Sequence, residues 1–81
     1  MTTFIFTIEL LNADYKIEYS VIQGVFGDKQ KAIDEASKHI KMQQSFWKDS
    51  SIRKISKGKV ALVGGPDNIS KVYQIQEMEV K

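Results

Sequence analysis

The chain has no cysteine, one histidine, one proline and one tryptophan in 81 residues. Without cysteine there is no disulfide, no thiolate nucleophile and no Cys-based zinc site, and nothing points to an oxidising compartment. A lone His39 cannot form a histidine metal cluster or hold a structural zinc by itself. Long apolar runs are also missing. The N-terminal stretch MTTFIFTIELLNADYKIEYS is broken by Thr7 and Glu9, which reads as a strand rather than a signal peptide or membrane span. A cytoplasmic protein without membrane contact is expected. No low-complexity segment, repeat or linker breaks the chain, so residues 1–81 read as one domain. At this length a fold buries roughly 60 % of the surface of its unfolded chain, so its core is thin.

What is present is ordinary for a folded protein: 42 % hydrophobic and 27 % charged residues, a balance that argues against disorder. The net charge of +2 conceals an uneven distribution. Residues 1–28 set Lys16 against Glu9, Asp14, Glu18 and Asp28, and residues 72–81 set Lys81 against Glu77 and Glu79. Ten of the twelve basic residues therefore lie between 29 and 71, where only Asp34, Glu35, Asp49 and Asp67 oppose them. A basic middle lies between acidic flanks.

Phe4, Phe6, Ile8 and Leu10 alternate with Ile5, Thr7 and Glu9; after the polar NAD at 12–14, Tyr15, Ile17, Tyr19 and Val21 alternate with Lys16, Glu18 and Ser20. Two runs of period 2 joined by a short turn predict a β-hairpin. The glycines of GVFGD free the backbone, Asp28 is placed to cap a helix, and from Lys29 the period becomes helical, with Ile33, Ala36, Ile40, Gln43 and Trp47 on one seam. Lys41 and Lys48 are expected near the helix C-terminus, where cations suit the dipole, and the DSS at 49–51 to stop the helix. Glu35 is spaced to meet Lys31 and His39, and Asp34 to meet Lys38. Beyond it, IRKIS and KVALVG flank Lys57-Gly58, either as a hairpin turn or within one bent strand. GGPDN at 64–68 is a turn, and KVYQIQEMEV a final strand. In that strand Tyr73 and Ile75 fall on one face and Met78 and Val80 on the other, unless a bulge near Gln76–Glu77 resets the register. The predicted fold is α+β, ββαββ(β): one antiparallel sheet with a single helix packed on one face.

GVFGDKQKAIDEASKHI after a strand and YQIQEMEV at the end resemble a group of small phage-encoded proteins with a hairpin-helix-strand unit. The resemblance is carried by Gly24, Val25, Phe26, Lys31, Ala32, Ile33, Tyr73, Ile75, Glu77 and Glu79. The chain departs from that group in its longer basic stretch, Lys48–Lys59. The resemblance brings no activity; it implies an accessory protein of an infected bacterium, acting in the host cytoplasm.

No motif assembles catalysis. Ser37 and Ser45 are not spaced to meet His39 on a helix. Glu77 and Glu79 share a strand face, and Glu9 and Glu18 could join them across the sheet, but one sheet under one helix offers little shelter for acid–base chemistry. The plainer reading is a solvated face on which these acids pair with Lys16, Lys71 and Lys81. GGPDNISK is not a phosphate loop, which would have to enter a helix. The chain therefore reads as a non-enzymatic binding protein with no cofactor and no metal.

The candidate contact residues are Lys41, Lys48, Arg53, Lys54, Lys57 and Lys59. Lysines with nearby Phe46 and Trp47 fit nucleic-acid binding, in which cations neutralise phosphates and aromatics stack on bases. Against this, Arg53 and Lys54 point to opposite faces of a strand, Trp47 completes the apolar seam, and lysines commonly guard sheet edges. Docking to a host or defence protein, inhibiting or modulating it, outweighs RNA or DNA as the reading. Ile5, Ile22 and Val72, on the face away from the helix, would favour a partner or a homodimer if exposed.

Overall fold

The computed structural model describes residues 1–65 and 69–80. The strands are β1 (Thr2–Leu11), β2 (Ile17–Phe26), β3 (Ser51–Ser56), β4 (Lys59–Val63) and β5 (Ser70–Glu79), with the helix α1 (Lys29–Phe46) between β2 and β3. They form one five-stranded sheet in the order β2-β1-β5-β4-β3, every neighbour antiparallel. This is the α+β fold expected, with a single helix. Lys57-Gly58 is a turn: Gly58 sits at φ +76 and β3 folds back on β4.

The first hairpin closes through Asn12, whose carbonyl accepts from the Tyr15 N–H and whose side-chain oxygen accepts from the N–H groups of Asp14 and Lys16. Two irregularities interrupt its ladder: Phe6 faces Gly24 while Thr7 faces Ile22, passing over Gln23, and Leu10 faces Tyr19 while Leu11 faces Ile17, passing over Glu18. The bulge allowed for at Gln76–Glu77 does not occur. β1 and β5 pair without interruption from Thr2–Glu79 to Leu11–Ser70, so Tyr73 and Ile75 face the helix and Met78 faces away. The ladder joins the chain ends, with the Val80 N–H donating to the Met1 carbonyl.

Asp28 caps the helix as expected, accepting from the Gln30 N–H at 2.8 Å. The helix stops at Phe46, before the DSS segment: Trp47 is the C-cap, and its N–H still donates to the Gln43 carbonyl. Its last turn carries no basic residue; Lys41 lies too early and Lys48 beyond the end, so neither complements the dipole. Glu35 and His39 meet at 3.4 Å, whereas Asp34 accepts from the Gln30 side chain.

Phe6, Ile8, Ala36, Leu62 and Tyr73 form the buried core, with Phe26, Ile40, Trp47, Val60 and Ile75 packed against it. Ala32 and Ala36 are the buried helix residues, and their small side chains let the helix approach the sheet closely. A helix is about 10 Å across and strands lie about 4.8 Å apart, so one helix spans only about two strand spacings. Here it packs over β1, β2 and β5. The helix-side surface of β3 is left open and that of β4 is only half covered at Val60, although Leu62 is buried; this uneven cover creates the site described next. On the sheet face away from the helix, Ile22 is exposed and Ile5 half-buried, but Val72 is only 4 % exposed and offers nothing to a partner. Of the turn at 64–68, Pro66, Asp67 and Asn68 lie outside the described residues, as does Lys81; Gly65 donates to the Ile69 carbonyl. No helix among the described residues is long and apolar enough to cross a membrane.

Candidate partner-docking groove

Two adjoining clefts run between α1 and the β3–β4 hairpin. The smaller, about 230 Å³, is lined by Ile33, Ala36 and Ile40 of the helix, by Val60, Tyr73 and Ile75 of the sheet, and by Lys54, Ser56 and Lys59. The wider, about 450 Å³, includes Phe4, Lys29, Lys57, Gln74 and Glu77. They share Ile33, Gly58 and Ile75 and so form one groove. Its floor is hydrocarbon and its rim is charged.

Gly58 sets this geometry. Its carbonyl accepts from the Ile75 N–H at 2.8 Å, which ties the hairpin tip to β5. A Cβ at this position would stand 2.9 Å from the Ile75 carbonyl oxygen, and its φ of +76 is one that residues with side chains rarely adopt. With the tip held down, Lys57 and Lys59 stand at the groove, and Lys54 joins them because it pairs with Val60 on the helix side of the sheet.

Lys54, Lys57 and Lys59 thus come together, while Lys41, Lys48 and Arg53 line neither cleft. Lys41 and Lys48 are exposed. Arg53 pairs with Ala61, so it points to the opposite face from Lys54. Lys29 was missed by the sequence reading. It stands in the helix's first turn, and only the folding of the hairpin toward that turn makes it part of the rim. The floor residues Ile33 and Ile40 belong to the helical seam in the sequence and Tyr73 to one face of the last strand, and nothing local shows that one side of that core stays uncovered. Among the described residues the ion pairs are Met1–Glu79 and Glu35–His39, so the four rim lysines carry unneutralised charge. Glu77 is the one acidic residue lining the groove.

The acidic residues do not converge. Glu79 accepts from Thr2 and contacts the N-terminal amine, Glu18 accepts from Asn12, and Glu9 pairs with Val72 on the face away from the helix. His39 packs its ring edge-on to Phe6, centroids 5.4 Å apart, and lines neither cleft. Among the described residues no three His, Asp or Glu side chains gather. Of the lysines expected as their partners, Lys71 donates to the Gln43 side-chain oxygen, Lys16 forms no ion pair among the described residues, and Lys81 lies outside the described residues.

Trp47 is half-buried, and a Cβ on Gly65 would lie 2.6 Å from its ring; Tyr73 in the groove floor is only 2 % exposed. Phe46 is exposed but lines neither cleft. The groove therefore presents cations and aliphatic carbon, with half-buried Phe4 and buried Tyr73 as its aromatic residues. No protein-family model, curated protein or solved structure matches the chain.

Proposed function

We propose that this protein acts by docking, without making or breaking bonds, and that the groove receives an acidic, partly apolar segment of a partner protein. The partner's apolar side chains cover Ile33, Ile40, Val60 and Ile75, and its carboxylates meet Lys29, Lys54, Lys57 and Lys59. The observation that carries this reading is the lysine rim around a hydrocarbon floor, with only Glu77 to oppose it. Apolar contact supplies affinity, and complementary charge supplies rate and selectivity. The resemblance to small phage-encoded proteins makes a bacterial host or defence protein, inhibited or modulated by this contact, the partner we propose. RNA or DNA is the second reading, favoured by three lysines within six positions of one hairpin. Single-strand binders usually add well-exposed aromatics for stacking, whereas the aromatic residues of this groove are half-buried Phe4 and buried Tyr73.

The test compares wild-type protein with Lys54→Glu/Lys57→Glu as bait in bacterial lysate, with and without nuclease, at two salt concentrations. Protein bands that survive nuclease and vanish with the double variant support docking through the groove. Retained material that nuclease removes and that falls steeply with salt assigns the lysines to nucleic acid instead. Steady turnover of a small molecule would overturn both readings.

A further inference from the structure

The two edges of the sheet differ in character. Strand β3 carries Arg53 and Lys54 within six residues, with Lys57 at its end, the usual guard against strand addition. Strand β2 is ten residues long, contains no Lys, Arg or Pro, and has Glu18 as its one charge. All of it is exposed except Gly24 and Phe26, which are half-buried. Ile22 and Val25, 67 % and 61 % exposed, stand on the face away from the helix, and Tyr19 and Val21 on the helix side. As an edge strand, β2 also has one row of backbone N–H and C=O groups with no strand beside it.

We infer that β2 is a self-association edge, on which a second copy of this chain lays its own β2 antiparallel to make one continuous ten-stranded sheet. The occupant follows from charge and closure. The protein is basic overall, yet two β2 strands meet without placing lysine against lysine. Pairing β3 with β3 would oppose Arg53 and Lys54 to their own copies. Pairing β2 with β3 would leave free edges at both ends and grow a filament, whereas β2 with β2 closes on a two-fold axis. The irregularities at Glu18 and Gln23 confine regular pairing to Tyr19–Ile22, so the axis passes near Ser20 and Val21. The groove is on the opposite half of the sheet and stays open in such a dimer.

The experiment uses the purified protein alone. At a concentration on the order of 0.1 mM, sedimentation gives twice the 9.2 kDa chain mass, and amide exchange of Tyr19–Ile22 slows as concentration rises while that of β3 does not. Ser20→Lys, at an exposed position next to the axis that leaves folding intact, brings a lysine opposite or diagonal to its own copy and weakens association at least about tenfold. Ile55→Lys on the other edge, where Ile55 is 53 % exposed, leaves association unchanged. A wild-type monomer at that concentration overturns the inference. So does association that Ser20→Lys does not weaken, or that Ile55→Lys weakens as much.

Discussion

The ammonium of Lys71, on β5, stands 5.9 Å from the ring centroid of Trp47 at the end of the helix, and donates to the Gln43 side chain at 2.7 Å. The same indole also meets Gly65, where an added Cβ would approach it to 2.6 Å. The strand and the glycine turn together clamp the only tryptophan of the chain, which is thereby a spectroscopic reporter of how the helix end meets the sheet. Gly65→Ala displaces the ring, shifts its fluorescence emission to the red and costs about 1–3 kcal/mol by overpacking. Unchanged emission would show that no clamp exists.

Gly58 holds the hairpin tip against β5. Gly58→Ala forces a side chain into a positive φ and against the Ile75 carbonyl, at a cost above about 1 kcal/mol. Because the lysine rim depends on this tip, the variant also weakens partner capture beyond its loss in denaturant midpoint. Gly27→Ala is the control, since a Cβ there meets nothing within 4 Å.

Leu62 is 1 % exposed, although its strand lies outside the main footprint of the helix. It is buried by the core cluster against which Trp47 packs. Leu62→Ala removes about 2–5 kcal/mol, a large fraction of the stability of so small a domain. Ile52→Ala on neighbouring β3, where the side chain is 51 % exposed, changes stability by less than about 1 kcal/mol. Equal losses in urea denaturation would show that β3 and β4 are covered to the same depth.

Burial, and then the nearby Tyr19, push the Tyr73 phenol up to about 12 from an ordinary 10. The folded state therefore keeps a proton that the unfolded chain releases, so this contribution is intact below pH 10 and is lost as pH rises from about 10 to about 12. Burial lowers the Lys71 pKa from 10.5. That has the opposite sign: its penalty on the folded state eases as pH climbs toward 10.5. Tyr73→Phe should flatten the alkaline fall in stability, and Lys71→Met should remove the rise that precedes it. Chemical denaturation across this range measures both. An alkaline slope identical in wild type and Tyr73→Phe would remove Tyr73 as its source.

Much of the fold was legible residue by residue. Alternation of Phe4, Phe6, Ile8 and Leu10 marked the helix-facing side of β1, and Phe6 and Ile8 are indeed buried there. Asp28 marked the helix start, whereas Lys57-Gly58 stayed open between a turn and one bent strand until the pairing of β3 with β4 decided for the turn. The helix end was misplaced by a few residues, because Trp47 continues the apolar seam while its backbone has already left helical geometry. The bulge allowed for in β5 was a device to bring Met78 and Val80 to the core. The strand pairs straight, and leaves Met78 45 % and Val80 46 % exposed.

The candidate site was half legible. Lys54, Lys57 and Lys59 lie together at the groove, whereas Arg53, Lys41 and Lys48 lie elsewhere and Lys29 did not stand out in the sequence. Charge runs are counted along the chain, whereas a rim is assembled across it. Strand parity separates Arg53 from its neighbour Lys54, and a hairpin tip brings Lys57 toward a helix start 28 positions earlier.

The order of residues along the chain, through its periods of 2 and 3.6, determined which segments are strands, which is the helix, and which face of each is apolar. These are local matters, decided by where successive side chains point. Strand order, the width of sheet that one helix can cover, the burial of Val72, the groove beside the helix and the unguarded edge at β2 came only with the tertiary structure. Each depends on which segments become neighbours, and that is settled by the joint satisfaction of backbone hydrogen bonds and apolar coverage over the whole chain.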